Sequence, residues 1–456
     1  MKTSLRFFVW EFRHLWRSGQ AWLVCLGLLV ASLAALWAGE RRLSEHRREI
    51  AALPRHYADQ MARITPEFTP QGEAGYVSYY TFYPTHHAMS PLAGLAFGVR
   101  DIVPNVVWVR LLGVEGQLYE SDLGNPFVQA LGSLDLAFVW CALAPLALLV
   151  LCHDVLTRDR DGGRLTLMAA QGGSLAALLL VRIAVRFTLL ASLSAVVFAV
   201  AGAWLHIPFD AAACNWLATV WAHLATWAGV AAVIAVVART VAASLAAALT
   251  LWTAAVVLVP ALLNLALVTA FPVTEGLELT VRQRQESHAA CDKPRAETME
   301  KFFAHNPDWA GTPPIEGRFA WRWYYAMQQV GDESVAAASE NYRRNLRARQ
   351  ATITRFAWLA PAAYAQLVLS ARAGTDLDAH LDYLDRVRAF HAHLRQTFYP
   401  LFFAEATITP ADFAKFPRFD PAFSRANAGP SLAPLLALAV AGLLAAIVFL
   451  RRKTAL

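Results

Sequence analysis

The run LAFVWCALAPLALLVLC, residues Leu136–Cys152, contains no charged residue and is long enough to cross a bilayer as a helix. Five further stretches share this character: Gln20–Ala38, Phe187–Leu205, Trp216–Ala238, Val241–Phe271 and Leu432–Leu450. Only 16% of the 456 residues are charged and 57% are hydrophobic, whereas soluble domains carry about 25% charged residues. The sequence therefore predicts an α-helical integral membrane protein with six transmembrane helices.

The six apolar stretches hold no Asp, Glu, Lys or Arg, which bears on how any transport would be driven. Secondary transporters usually hold an ionisable residue near the middle of the bilayer. His223 and Asn264 are the main strongly polar side chains, and we interpret His223 as a hydrogen-bonded contact between helices. Pro260 is expected to kink or break the fifth stretch. Energy for transport would have to come from another chain.

Basic residues beside the ends of these stretches predict their orientation. Thirteen Lys or Arg and four acidic residues lie in the segments 1–19, 153–186 and 451–456 and at Arg239. By the positive-inside rule these segments, and with them both termini, are cytoplasmic. The segments 39–135 and 272–431 are then extracytoplasmic. The first of them opens with clustered arginines, but loops longer than about 60 residues cross the membrane largely regardless of charge.

Residues 1–19, MKTSLRFFVWEFRHLWRSG, precede the first stretch. Their apolar side chains recur every three or four residues, and the arginines lie largely elsewhere around the helix. This pattern predicts an amphipathic helix at the membrane interface, with anionic lipid headgroups as its partners. A signal peptide is disfavoured, since no small-residue cleavage site follows.

The two long segments differ in predicted structure. The first begins with a helical stalk in which Arg41 and Glu45 can pair, and continues into two β-prone runs, Tyr76–Tyr83 and Val106–Leu112, so a mixed α/β insertion is expected. The second is mainly helical, with four predicted helices: Thr274–Cys291, Ile315–Trp358, Pro361–Arg372 and Asp376–Tyr399. Gly374 marks the end of the third helix and Asp376 the cap of the fourth.

Missing motifs exclude several classes of protein. No lysine follows a glycine, so the chain has no phosphate-binding G-x-x-x-x-G-K-[ST] loop, and any ATP would be bound by a partner. No C-x-x-C pair indicates a zinc or redox centre, and a bridge between Cys214 and Cys291 is left open. No basic stripe interleaved with aromatics indicates nucleic acid. We expect no cofactor and no catalytic residue in this chain.

The histidines and aromatic residues of the long segments are candidate sites that we interpret conservatively. No spacing among the histidines matches a recurrent metal site, so they are interpreted as scattered surface residues: His56, His86, His87, His380, His391 and His393. Because His391 and His393 are two apart on a predicted helix, they face different ways. The aromatic runs YVSYYTFY and WRWYY are interpreted as packing or interfacial residues.

The segment His153–Ser174, HDVLTRDRDGGRLTLMAAQGGS, lies between the second and third stretches. It consists of charged residues, a Gly-Gly pair, a short apolar helix and a second Gly-Gly pair. A short helix between two glycine hinges is a good mechanical contact for a cytoplasmic partner, and the alternative is a solvated loop positioned by its charge. The candidate contact residues are Arg158, Asp159, Arg160, Asp161, Gly163, Leu165, Leu167, Met168 and Arg182.

This loop resembles that of permease subunits of the ABC type-2 exporter superfamily, whose pattern is close to Glu-Arg-Glu-x-Gly-Thr-Leu followed by a short helix and later a Lys. Asp159, Arg160, Asp161, Gly163 and Leu165 stand at the matching positions. Arg182 replaces the Lys, Arg164 the Thr and Asp159 the first Glu. The stretch 358–390 and the long segments also resemble a functionally uncharacterised bacterial subgroup with two extracytoplasmic insertions.

The resemblance implies partners and a location. A permease of this kind pairs with a second permease, identical or paralogous, over two cytoplasmic ABC ATPase subunits in the bacterial cytoplasmic membrane. The helix around Leu165–Met168 would then lie in a groove of the ATPase. Arg182 and Arg186 are expected below the membrane, where long side chains can snorkel.

Two other functions remain open at this point. A membrane-embedded enzyme of lipid-linked glycan chemistry would use acidic residues near the outer surface, for which Glu40, Asp135 and Asp210 are available. A structural or sensory membrane protein would bind a partner through its outer segments.

Overall fold

The fold is almost entirely helical, in a computed structural model that describes residues 2–68, 72–118, 134–171, 174–272, 276–317, 319–421 and 430–454. The helices before the third span are α1 (Lys2–Trp16), α2 (Gly19–Phe68), α3 (Ala74–Tyr80), α4 (Val114–Leu118), α5 (Leu136–Phe138, Val139–Leu143 and Ala144–Cys152), α6 (Thr157–Asp161) and α7 (Arg164–Ala170). The strands are β1 (Tyr83–His86) and β2 (Val106–Val109). The remaining helices are α8 (Leu175–Leu205), α9 (Ala211–Val237), α10 (Val241–Thr253, Ala254–Leu258 and Val259–Ala270), α11 (Gly276–Cys291), α12 (Arg295–His305), α13 (Trp321–Phe356), α14 (Pro361–Ala373), α15 (Leu377–Phe403) and α16 (Ala433–Thr454).

Six helices in the described part of the chain are long and apolar enough to span a membrane, as the sequence predicts. They contain α2, α5, α8, α9, α10 and α16. The first does not end at Ala38 but continues as one helix to Phe68, so the predicted stalk is an extension of the span. Its Arg41–Glu45 pair is present at 3.1 Å between Nε and Oε1.

Two π-helical turns interrupt the spans. A π turn widens the helix and changes its hydrogen-bond pattern, so that backbone carbonyls become available to side chains. In α5 the turn Val139–Leu143 is contacted by two neighbouring spans: His223 Nε2 lies 2.9 Å from the Cys141 carbonyl oxygen, and Trp252 Nε1 donates to the Ala142 carbonyl at 2.9 Å. The interpretation of His223 as a hydrogen-bonded helix contact is confirmed.

The second π turn accommodates a proline. Ala254–Leu258 in α10 directly precedes the helical segment that contains Pro260, and the span continues to Ala270 without a break. Proline lacks the N–H that an α-helix needs, and its ring collides with the preceding turn. The wider turn takes up both effects. Of the kink or break expected at Pro260, the break does not occur, and the helix is instead distorted locally at the π turn.

The bundle packs around α9, whose most extensive contact is with α16. At the crossing Gly229 faces Gly442, and a Cβ added at Gly229 would lie only 2.8 Å from the Ala439 carbonyl oxygen. Two glycines therefore allow the backbones to touch, the usual way in which membrane helices gain close packing. Trp216 and Trp227 on α9 are almost completely buried in the same core.

The two long segments pack against each other, and we call the packed part the insertion unit. Its core joins residues of the first segment, such as Val77 and Leu111, to residues of the second, such as Tyr325, Phe398 and Phe402. Tyr325 stacks on Phe402 with ring centroids 4.3 Å apart. The aromatic runs are therefore packing residues, as interpreted. Helix α14 extends the contact into the bundle, because Ala365, Val368 and Leu369 belong to the bundle core.

Several local predictions for the insertion unit are confirmed and others are wrong. The run Val106–Leu112 forms β2, which pairs antiparallel with β1. The run Tyr76–Tyr83 is mostly the helix α3, because Val77 is buried and Tyr79 packs on Trp321, so that tertiary packing outweighs β-propensity. Helix α12 is missed by the sequence prediction. The expected start of the second segment's first helix at Thr274 lies outside the described residues, and α11 is described from Gly276 to Cys291.

Buried ion pairs tie α4 to the long helices of the insertion unit. Glu115 accepts from Arg388 Nε at 2.6 Å and from the Ser339 hydroxyl at 2.7 Å. Burial would raise the pKa of Glu115, but the hydrogen bond and charge of Arg388 outweigh it and leave that pKa below its usual value. The carboxylate of Asp332 accepts from the Val114 N–H at 2.8 Å and from Arg395 at 2.6 Å. Each carboxylate thus has the partners that burial requires.

Half of the six histidines interpreted as surface residues are buried, so that interpretation is wrong for His87, His380 and His391. His87 stacks on the ring of Tyr383 with centroids 5.2 Å apart. His391 is buried while His393, on the same helix, is exposed, as predicted from their spacing. Within the described ranges, no group of three or more His, Cys, Asp or Glu is placed to hold a metal ion. Cys214 and Cys291 are both unpaired.

Candidate functional site

The loop between the second and third spans contains the predicted short apolar helix, α7, after the first Gly-Gly pair, and the charged residues before that pair form a further short helix, α6, which the sequence does not predict. Helix α6 ends at Asp161 and is capped by Gly162, and Gly163 has φ +71°, a left-handed conformation that glycine adopts without strain. Helix α7 follows directly. The second Gly-Gly pair lies outside the described residues, and Ser174 then caps α8 by accepting from the Ala177 N–H at 3.2 Å.

Asp159 is the centre of a network of arginines and carboxylates. It is 7% exposed and accepts from Arg182 Nη1 at 2.6 Å and from Arg164 Nε at 2.8 Å. Arg182 also donates to the Val155 carbonyl. Helix α8 returns antiparallel to α5, so residues 23 apart in sequence meet. Asp159 and Arg182, both predicted contact residues, therefore bind each other within the chain.

Glu11 on α1 extends the same network, and we call the set Glu11, Asp159, Arg164, Arg182 and Arg186 the arginine–carboxylate network. Glu11 is 2% exposed and accepts from Arg186 Nη1 at 3.0 Å, with Arg182 Nε 3.7 Å away. Arg186 Nε also donates to the Leu151 carbonyl at 2.8 Å. The expectation that Arg182 and Arg186 snorkel is wrong, because the two lie one turn apart on the face of α8 that meets α1.

Glu11 is a site residue that the sequence reasoning misses, although the sequence holds a signal for it. It follows Phe8 by three residues and precedes Leu15 by four, and so lies on the apolar face of α1. A carboxylate on the face that a helix buries needs a cationic partner. Arg182 and Arg186, four apart on α8, are the matching pair of cations.

The charged end of α6 also holds the turn between α9 and α10. Arg160 donates to the carbonyls of Ala238 and Val236, and Asp161 accepts from the Val241 N–H at 3.3 Å. These bonds satisfy backbone groups that helix ends leave without intrahelical partners. Arg158, the remaining predicted charged residue of α6, pairs within the loop instead of contacting the spans.

Arg158 pairs with Asp154 at 2.8 Å within the loop, and the Arg158 side chain is 65% exposed while that of Asp154 is 12% exposed. Water screens an ion pair on its exposed side and weakens it.

Helix α7 presents both a buried and an exposed apolar residue. Leu165 is 9% exposed and belongs to the bundle core, Met168 is half-buried, and Leu167 is 61% exposed. Because 165 and 167 lie about 200° apart around a helix, they point in nearly opposite directions. The side chain of Leu165 fixes the helix to the bundle, while that of Leu167 is available to another molecule.

Together these contacts join α1, α6, α8 and the α9–α10 turn at one end of the bundle. A force on α7 or α1 would reach two spans directly, through salt bridges at Arg182 and Arg186 and through backbone hydrogen bonds at Arg160. The arrangement can transmit a displacement, since a transmitting element must be rigid and connected.

Two of the three carboxylates considered for an enzyme, Asp135 and Asp210, have structural contacts. Asp135 caps α5 by accepting from the Phe138 N–H at 2.6 Å and accepts from the Phe97 N–H at 2.9 Å. Burial raises the pKa of Asp135 to about 6, against the opposing effect of these two hydrogen bonds. Asp210 caps α9 through the N–H groups of Ala212 and Ala213. These two side chains hold helix ends in place.

Comparison with known proteins gives a match to a family model over part of the chain. A family model described as "Domain of unknown function (DUF3526)" matches residues 277–422, which is 146 of 456 residues and contains α12, α13, α14 and α15. No curated protein and no solved structure matches the chain. The matched region is the second half of the insertion unit, so the chain is similar to that family there and the arginine–carboxylate network lies outside the match.

Proposed function

We propose that this protein is the permease subunit of an ABC type-2 transporter, driven by separate ATPase subunits. The observation that supports this most is the way in which α7 is mounted. It is held by Leu165 and by Arg164, which donates to Asp159, yet it leaves Leu167 exposed. A docking element needs this combination of a rigid support and a free apolar contact.

The proposal includes the orientation and the energy source. The network end of the bundle is cytoplasmic and the insertion unit is extracytoplasmic, in the cytoplasmic membrane of a bacterium. A second permease, identical or paralogous, completes the pathway, and ATP is bound by the partner subunits. When these close on ATP, they push α7, and the arginine–carboxylate network carries the displacement to α1 and α8. The spans hold no charged group in their apolar cores that could couple transport to an ion.

The proposal is tested by asking which proteins copurify with the full-length chain. The tagged protein is extracted from membranes of its native host in mild detergent, and ATP-binding subunits are identified by mass spectrometry and by ATP hydrolysis. The variant Leu167→Glu places a charge on the exposed contact without touching the core. Val281→Glu is the matched control, since Val281 is 44% exposed on α11 in the insertion unit.

We expect an ATPase subunit to copurify with the wild type and with Val281→Glu, and not to copurify with Leu167→Glu. Recovery of the same ATPase with Leu167→Glu would show that α7 is not the contact. Failure to recover any ATP-binding protein with the wild type would count against a permease altogether.

A further inference from the structure

A pocket of about 390 Å³ lies where the first span meets the insertion unit, between α2 and the loop 89–105. The loop lies directly on the helix, because a Cβ added at Gly39 would collide with the Gly94 carbonyl oxygen. Gly94 in turn lies against the end of the third span, where its own added Cβ would be 3.1 Å from Leu205 Cδ1. The pocket is therefore fixed to the ends of two spans.

The end of the pocket at Arg42 lies at the depth of the headgroup layer of a bilayer, and the end at Glu49 lies beyond that layer. Arg42 follows the last residue of the apolar run, Ala38, by four residues, which is about 6 Å along a helix. Glu49 follows Ala38 by eleven residues, which is about 16 Å along the helix. Headgroups extend roughly 5–8 Å beyond the hydrocarbon on each side. A lipid beside α2 would thus bring its headgroup to Arg42, with Glu49 above it.

The lining carries both signs of charge beside an apolar wall. Arg42 pairs with Asp101, and its guanidinium carbon lies 4.7 Å from the centroid of the Phe97 ring. Arg100, the residue before Asp101, is also part of the pocket wall. The carboxylates of Glu45 and Glu49 are 56% and 55% exposed and line the same pocket. The apolar wall is formed by Leu43, Met89, Ala93 and Phe97.

Polar atoms of three residues in this lining are buried without a normal hydrogen bond within the described part of the chain. His46 is 9% exposed, and the nearest carboxylate oxygen to its unpartnered ring nitrogens is Glu49 Oε2 at 3.5 Å. The side-chain oxygen of Asn105 is likewise without a partner, and so is Nε of Arg100, whose Nη2 donates to the Ala88 carbonyl at 2.6 Å and to the Gly374 carbonyl at 3.3 Å. Buried polar groups in proteins are nearly always paired, so this lining favours a ligand with both donors and acceptors.

We propose that this pocket binds the headgroup of a zwitterionic phospholipid, a phosphate linked to an ammonium. The phosphate lies by the guanidinium groups of Arg42 and Arg100, which are the cations of the lining. The ammonium lies by Glu45 and Glu49, and the glycerol and the first methylenes lie against Leu43 and the rest of the apolar wall. The inference does not depend on an ATPase partner, since it rests on the pocket alone.

The test uses the purified full-length protein in detergent and measures lipid binding by native mass spectrometry. The probes are dioleoyl phosphatidylethanolamine, dioleoyl phosphatidylglycerol, which lacks the ammonium, and soluble phosphoethanolamine, which lacks the chains. Arg42→Gln and Glu49→Gln each remove one charge from the pocket. Arg47→Gln is the matched control, because Arg47 is exposed on the same helix and does not line the pocket.

We expect phosphatidylethanolamine to bind at least about tenfold more tightly than either other probe, and to lose about tenfold in affinity in both pocket variants, as the loss of one charge-assisted hydrogen bond implies. Arg47→Gln should bind like the wild type. Equal binding of phosphatidylglycerol would overturn the role of the carboxylates, and tight binding of soluble phosphoethanolamine would overturn the membrane as the source. Unchanged affinity in Glu49→Gln, an exposed position where folding is not at risk, would overturn the site itself.

Discussion

Glu11 is the position at which the arginine–carboxylate network is tested most directly. Its carboxylate is the only one that Arg186 contacts among the described ion pairs, at 3.0 Å, and it joins α1 to α8 across 175 residues of sequence. Glu11→Gln keeps the shape of the side chain and removes its charge. Arg186 would then remain buried without an opposite charge beside it.

The expected loss in the free energy of unfolding depends on the hydrogen bonds that Arg186 keeps in the variant. Removing one partner of a buried ion pair typically costs about 3–5 kcal/mol. Arg186 still donates to the Leu151 and Arg182 carbonyls in the variant. We therefore expect the lower end, a loss of about 3 kcal/mol in the free energy of unfolding. The double variant Glu11→Gln/Arg186→Gln should be more stable than the sum of its single changes predicts, by roughly 0.5–3 kcal/mol.

The assay is equilibrium unfolding of the purified protein in mixed micelles, with thermal unfolding as a second readout. Glu297→Gln provides a matched control, because Glu297 pairs with Lys301 at 3.1 Å on the surface with 44% of its side chain exposed. An exposed pair contributes about 0–1 kcal/mol. If Glu11→Gln is no more destabilising than Glu297→Gln, and the double variant is additive, Glu11 does not anchor α1 and the reasoning fails.

Three further changes test other parts of the fold. Burial lowers the pKa of His380 to about 4, and an unfolded histidine titrates near 6.5, so this residue should contribute a fall in stability of about 1.4 kcal/mol per pH unit between about 6.5 and 4. The buried histidines His87 and His391, whose pKa values are also lowered, add to the total slope. In unfolding measured at several pH values, His380→Gln should therefore reduce the slope by about that amount, and His393→Gln, at an exposed position, should leave it unchanged. Gly163→Ala should lower the free energy of unfolding by about 1–2 kcal/mol, because Gly163 has φ +71°. Gly162→Ala should lower it by less, because Gly162 has φ −84°. Equal free energies of unfolding for the two variants would contradict this. Trp252→Phe should cost about 1 kcal/mol through its lost hydrogen bond to the π turn, and an unchanged Tm would refute it.

The membrane helices can be predicted from the sequence because their signal is local. A run of about 20 apolar residues without charge is rare outside membrane spans, and the described helices agree with all six stretches. The turn at Gly374 is equally clear: its φ is +64°, and Asp376 caps the next helix by accepting from the Ala379 N–H. In both cases the residues that decide the structure are neighbours in sequence.

The arginine–carboxylate network shows where such prediction stops. The sequence indicates Asp159 and Arg182 individually as groups for a partner, but their pairing depends on how α8 returns along α5, which no local pattern records. The same holds for α3, where β-prone tyrosines become helical because Trp321, far along the chain, packs on them. Pairing between distant residues is decided by tertiary packing.

Helix α2 is the element through which the two ends of the molecule can influence each other. It contains 50 residues, which corresponds to as much as about 75 Å, more than twice the thickness of the hydrocarbon. At one end it follows α1, which Glu11 fixes to α8, and at the other Ile64 is buried in the core of the insertion unit. A displacement of α1 would therefore act on a single continuous helix that carries the pocket at Arg42 midway along its length. If the chain is a permease, the arginine–carboxylate network joins the ATPase contact to α1, α2 continues from α1 to the insertion unit, and the pocket lies on that path.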